Sequence, residues 1–418
     1  MPMIPYESFT LENGLRVIVH EDHTTPLAVV NIAYNVGARD EQESKTGFAH
    51  LFEHLMFGGS QNIPSFDTPL QQVGGENNAF TSNDLTNYYI TLPAKNIETA
   101  FWLESDRMLS LSFDPRVLEV QRKVVIEEFK QMYLNQPYGD VWLKLRPLAY
   151  QNHPYKWPTI GKEISHIEQA TMEDVKDFFF RFYRPVNAVL VVAGDVTMKQ
   201  VKHLAEKWFG PIPSGERYER KLPTEARQTE KRSLTVEDKV PQHALYKAYH
   251  MPAKTVQGYH VADLMGDMLG RGKSSRFYSR LVKEQKLFSE LKAYITGSHD
   301  PGLFIISCKL NDNIGFEQAE AAIDKEIAAF AKKKVDEGEL LKVQNQAIFT
   351  VVQNEMELLN RAMDLAEATL LGDTNRVNTE IDRIKAVDTK AIKEMANMIL
   401  VPENCTALYY KSTKQKVA

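Results

Sequence analysis

The sequence predicts an α+β fold of two homologous α/β-sandwich domains, each a mostly antiparallel sheet with helices packed on one face. Three observations carry that expectation. The chain has 418 residues, more than one compact core normally accommodates. The stretch PIPSGERYERKLPTEARQTEKR, Pro211 to Arg232, is polar, charged and broken by proline and glycine, the composition of a boundary between folded parts. On both sides of it a Pro-x-Asn turn runs into an apolar strand, at Arg184–Val192 and again at Val401–Tyr409. Such an internal repeat points to a duplicated unit. The expected division is 1–215, a linker at 216–232, and 233–418.

The elements follow in order. Asn13-Gly14 suits a tight hairpin turn, so Ser8–Glu12 and Leu15–His20 should pair as strands, with the β-branched run Leu27–Val36 next. Apolar residues at helical spacing then cover Gly47–Phe57, Ile97–Leu109 and Val117–Leu134. Ala188–Val192 reads as a buried strand closed by Gly194-Asp195. The second half repeats the order with a strand at Ala244–His250, a helix near Gly258–Leu269, strands near Leu291–Leu310, and further helices.

Composition removes several function classes. Hydrophobic residues at 43% and charged residues at 25% describe a globular chain. The formal charge of −5 gives no global field toward nucleic acid or anionic lipid, and basic runs such as Lys332-Lys333-Lys334 read as solvated faces. Two cysteines, Cys308 and Cys405, are too few for a disulfide scaffold and sit in apolar, core-like surroundings. No stretch is long and apolar enough to span a bilayer, and the N-terminus has no basic-then-apolar leader. A cytoplasmic location is expected, with a periplasmic one the alternative if a leader has been removed.

The strongest chemical signal lies in Gly47-Phe-Ala-His-Leu-Phe-Glu-His-Leu-Met-Phe57. Phe48, Leu51, Phe52, Leu55 and Met56 form one helical stripe, and His50, Glu53, His54 and Phe57 form the neighbouring one. Two imidazoles at i and i+4 sit one turn apart, close enough to bind one ion. Glu53, between them on the same face, is placed to take a proton from a bound water. This His-x-x-Glu-His order is the reverse of the commoner zincin motif. A zinc site that keeps one position for water needs a third protein ligand. Asp114-Pro115 opens a helix as N-cap and first-turn proline, and Val117, Gln121, Val124 and Glu128 share one side of it. A carboxylate on an apolar side suggests a paired or metal-bound group. Periodicity leaves Glu127 and Glu128 both open.

Together, His50-Leu-Phe-Glu53-His54 and Arg122-Lys-Val-Val-Ile-Glu-Glu128 resemble the pitrilysin/insulinase family of zinc peptidases, and the short subunits akin to mitochondrial processing peptidase beta subunits in particular. That family sets its third ligand roughly seventy-five residues after the second histidine; residues 54 and 128 are 74 apart. The resemblance therefore selects Glu128 and implies one zinc per chain, held by His50, His54 and Glu128, with Glu53 as the catalytic base. It makes residues 1–215 the catalytic domain, and 233–418 an inactive homologous domain with chamber and dimer roles. Gly74-Gly75-Glu-Asn-Asn78-Ala79-Phe80-Thr81-Ser82 resembles the family's active-site edge strand, which implies that Asn78, Ala79, Phe80 and Thr81 bind peptide substrate as an added β-strand.

Two positions depart from the family pattern. Gln121 stands where an outer-sphere glutamate is usual, so the ligand is supported without charge. An Arg/Tyr pair that assists at the substrate carbonyl is replaced by Val282 and Ser289. The resemblance thus implies a homodimer, or a heterodimer with a similar-fold subunit that supplies the pair. The competing reading, a non-catalytic scaffold subunit, goes with loss of ligands or base, and all four residues are present. His20, His23, His153 and His166 are expected to be structural or exposed.

Overall fold

At the Asn13-Gly14 turn Gly14 takes φ +88°, a left-handed conformation that glycine adopts without steric cost. It joins β1 (Glu7–Thr10) to β2 (Arg16–Glu21), which pair antiparallel as the hairpin signal predicts. β3 (Leu27–Tyr34), β4 (Glu76–Thr81), β5 (Thr86–Pro93) and β6 (Ala188–Gly194) complete a six-stranded sheet in the order β1-β2-β6-β3-β5-β4. Only the β2–β6 pair is parallel. The sheet's outer position at one side is β4.

The second sheet holds β7 (Arg232–Asp238), β8 (Ala244–His250), β9 (Phe288–Ile295), β10 (Leu303–Leu310) and β11 (Cys405–Ser412) in the order β7-β11-β8-β10-β9. Its parallel pair is β7–β11. Strand for strand this is the order β2-β6-β3-β5-β4, with the parallel pair in the same place. The two Pro-x-Asn turns, Pro185–Asn187 and Pro402–Asn404, lead into the equivalent strands β6 and β11. The duplication read from the sequence is real at the level of topology.

The computed structural model describes residues 3–413. Its helices are α1 (Phe48–Leu55), α2 (Asp67–Gln72), α3 (Ile97–Leu109), α4 (Pro115–Phe129), α5 (Val141–Ala149), α6 (Ile164–Glu168), α7 (Met172–Phe182) and α8 (Met198–Trp208). There follow α9 (Gly258–Gly270), α10 (Phe316–Lys332), α11 (Glu337–Asn354), α12 (Leu358–Leu370), α13 (Arg376–Lys385) and α14 (Thr389–Ile399). The helix expected over Val117–Leu134 is α4 followed by a π-helical turn at Lys130–Leu134.

The chain forms two compact units, and each draws on both halves of the sequence. The first takes residues up to Lys130, Trp157–Leu222 and Val352–Thr379; the second takes Gln131–Lys156, Pro223–Val351 and the chain from Glu380 on. Composition alone gave the cut at 216–232 and could not see these exchanges, because an amphipathic helix does not announce which sheet it will cover. In the first unit α12 packs Ala362, Leu365 and Ala366 on Val29, Ala33, Val189 and Val191. In the second, α5 packs Val141, Leu145 and Ala149 on Ala244, Ala248, Ile305 and Leu408. Each sheet therefore carries its main helical layer on one face, as expected, and one additional helix on the other. Cys308 and Cys405 are buried free thiols, as their apolar neighbours predicted.

Candidate metal centre

α1 begins at Gly47, where φ is +88° and a Cβ would lie 2.6 Å from the Ile160 carbonyl oxygen. No other residue fits there without moving backbone. The Glu41 carboxylate accepts the N–H of Gly47 at 2.9 Å and of Ala49 at 2.8 Å, satisfying amides that a helix start leaves unpaired. Phe48, Ala49, Leu51, Phe52 and Leu55 are buried, and Phe52 stacks on Phe178 and Tyr183. That packing fixes the helix's rotation and leaves His50, Glu53 and His54 half-buried along one side.

α4 starts as its sequence predicts, with the Asp114 side chain accepting the Arg116 N–H at 2.8 Å and Pro115 in the first turn. Its buried side is Leu118, Val125 and Phe129. This corrects the expected stripe: Val124 is 39% exposed, so the Val117–Gln121–Val124–Glu128 line is the margin of the packed face rather than its centre. Valines at 120, 124 and 125 permit either rotation, and packing chose Val125. Glu128 at that margin turns toward α1, while Glu127 projects outward and pairs with Lys130 at 2.7 Å.

Glu128 Oε2 lies 3.4 Å from His54 Nε2 and 3.8 Å from His50 Nε2. One ligand atom from each of the three residues lies within 4.8 Å of the others, and no other such group occurs among the described residues. Atoms bound tetrahedrally at ~2.0–2.2 Å from one zinc stand roughly 3.3–3.6 Å apart, so the two Glu128–histidine separations are close to that spacing, and two imidazoles with a carboxylate are a donor set that suits zinc. Burial, and then the neighbouring His54, pull the His50 imidazole down to about 4, which keeps it neutral with a lone pair free for a metal. Its Nδ1 is buried without a hydrogen-bond partner, so packing rather than a second hydrogen bond sets the ring's orientation.

Glu53 occupies the same face. Burial raises its carboxyl above the usual range, partly offset by a hydrogen bond from Thr81 Oγ1 at 2.6 Å. That bond reaches α1 from β4. In β4, Asn77, Ala79 and Thr81 face the α1 layer, and Glu76, Asn78 and the 41%-exposed Phe80 face the other way. Among the described residues no strand pairs with the outer edge of β4. Gln121 is half-buried two turns before Glu128.

The remaining histidines stay away from this centre. His166 bonds Thr46 at 2.8 Å, His23 bonds Asp195 at 2.7 Å, His153 lies 3.3 Å from Asp300, and His20 bonds the Pro5 carbonyl at 2.7 Å. In the second unit Val282 packs against the core, and Ser289 donates to Gln242 at 3.0 Å. Sequence reasoning missed Glu41, which caps α1 from an irregular loop, and the Thr81 hydroxyl, whose target is unrelated to it by any local spacing.

Known proteins resemble this chain along both of its halves. Residues 16–163 match the family model described as Insulinase (Peptidase family M16), and residues 169–347 match that described as Peptidase M16 inactive domain. The Helicobacter pylori zinc protease PqqE is 32% identical over 358 residues, covering 82% of this chain and 79% of that protein. The mitochondrial-processing peptidase subunit beta of Saccharomyces cerevisiae is 30% identical over 209 residues, 49% of this chain and 45% of that one. The crystal structure of a protease from Helicobacter pylori superposes with a TM-score of 0.90 at 28% identity, covering 98% of this chain and all of that chain. With both halves matched, this chain belongs to the M16, or insulinase, family of peptidases.

Proposed function

We propose that this chain is a zinc metallopeptidase that hydrolyses peptides or unfolded segments laid along β4 as an added strand. The observation that carries the reading is the convergence of His50, His54 and Glu128 from two helices beside Glu53. His50 and His54 hold the metal through Nε2 and Glu128 through its carboxylate, one ion per chain. When bound, zinc supplies Lewis acidity toward a water and a carbonyl. Glu53 accepts the water's proton and passes it to the leaving amine. Its raised pKa suits a group that must hold a proton between two steps. Gln121 supports the α4 ligand without adding charge.

Asn78, Ala79, Phe80 and Thr81 present the substrate-binding edge. Backbone hydrogen bonds to an added strand read extension rather than side chains, which gives broad sequence tolerance. With Val282 and Ser289 in place of donors, the developing oxyanion lacks a normally large stabilising contribution. A different subunit of similar fold supplies the Arg/Tyr pair in a heterodimer; the alternative is a homodimer, in which both copies carry Val282 and Ser289 and the pair is absent. Relatives that carry the name of a subunit favour this arrangement.

The test is peptide digestion with chelation and metal add-back. Activity should vanish on zinc removal and return with about one equivalent of zinc, and only in fractions where the chain is dimeric or joined to a partner. Full activity from a zinc-free preparation contradicts the metal, and full activity from an isolated monomer contradicts the second subunit.

A further inference from the structure

The face of the first sheet turned away from α1 holds a cavity that the proposed chemistry does not use. Its floor is set by strand register. Val29, Thr91 and Glu76 lie in one cross-strand row, and Asn31, Tyr89 and Asn78 in the next; directly paired residues point to the same face. α12 packs on β2, β3 and β6 and leaves the β5–β4 end uncovered. There a cavity of about 510 Å³ runs from Glu76, Asn78, Tyr89 and Thr91 to Glu357, the residue just before α12, and Arg361 in its first turn.

Charge within it is one-sided. Asp22 is neutralised by Arg361 at 2.6 Å. Glu76 and Glu357 also line the cavity, are exposed, and make no ion pair among the described residues. The other polar lining side chains are neutral amides and hydroxyls, including Asn78, Thr24 and Tyr89.

A strand added beyond β4 lies about 4.8 Å away and alternates its side chains between the two faces. Residues opposite Asn77, Ala79 and Thr81 face Glu53 and the metal centre. Residues opposite Glu76, Asn78 and Phe80 face this cavity. We propose that the cavity is a side-chain subsite for lysine or arginine, taking the substrate residue seated opposite Asn78, three residues from the one opposite Thr81. A long side chain reaches across the floor toward Glu357, with its cation between two carboxylates that have no other counter-charge. The inference rests on the reading of β4 as the peptide-binding edge.

The experiment uses peptides of one cleaved sequence with Lys, Arg, Ala or Glu placed at each position in turn. Wild type and Glu357→Gln are compared, then Glu357→Gln combined with Glu76→Gln. The Glu357 side chain makes no capping hydrogen bond, so its amide replacement should fold. The expected wild-type result is a preference for Lys and Arg over Ala of about tenfold in kcat/KM at a single position. The preference should fall to about twofold or less in the double variant and shrink as salt rises. No basic preference at any position, or a preference unmoved by the double variant, overturns the subsite. The same peptides are titrated for binding to Glu53→Gln. If wild type cleaves none of them, yet Lys and Arg peptides bind more tightly than Ala peptides and lose that advantage with Glu357→Gln, the subsite stands and the peptidase reading falls.

Discussion

Thr81 Oγ1 donates a 2.6 Å hydrogen bond to Glu53 Oε2, so the strand proposed to carry the substrate also orients the group proposed to move the proton. Losing that bond should separate chemistry from binding. Thr81→Val is expected to lower kcat by about tenfold with KM little changed, and Thr81→Ser to restore most of the loss. Steady-state kinetics on one peptide checks it. Equal losses in kcat for the valine and serine variants contradict an orienting hydroxyl.

Glu128 and Glu127 differ in direction by one helical step, and only Glu128 reaches the histidines. Glu128→Gln should weaken zinc binding by at least about a hundredfold, while Glu127→Gln should leave it within about twofold. Competition with a chromogenic chelator measures both. The reverse pattern moves the third ligand by one residue.

In the second unit Glu320 accepts hydrogen bonds at 2.6 Å from Lys231 and Tyr409, with Lys247 at 3.2 Å. Burial alone pushes its carboxyl up, but the hydrogen bonds and the two ammonium groups outweigh it and pull the group down to about 2. A folded-state value below the unfolded one means the stabilisation is complete above the unfolded carboxyl range and is lost as pH falls through 4 toward 2. Glu320→Gln should therefore destabilise the protein by about 1–2 kcal/mol at pH 7, after discounting for solvent screening, and by almost nothing near pH 2. Urea denaturation at both pH values decides it; a pH-independent difference contradicts the ion cluster.

Much of the centre was legible because its geometry is local. The His50/Glu53/His54 stripe follows from helical spacing alone, and the α4 start follows from Asp114-Pro115. β6 and β11 were legible from their Pro-x-Asn turns. What stayed hidden depended on distant chain. The rotation of α4 was settled by burying Val125 rather than Val124, a choice that its valine spacing leaves open. α5 and α12 each cover a sheet built largely from the other half of the sequence, and nothing in their own patterns says so. Glu41 and Thr81 act on α1 across 6 and 28 positions respectively, through a loop and a strand that no local motif links to it.

The most direct measurement is zinc content and peptide turnover on wild type and Glu53→Gln side by side. With three ligands in place and only the base removed, Glu53→Gln should retain about one zinc per chain, as wild type does, and lose turnover by at least about a thousandfold. Peptide cleavage by Glu53→Gln near the wild-type rate, or wild type purified without stoichiometric zinc, contradicts a hydrolytic centre built from His50, Glu53, His54 and Glu128.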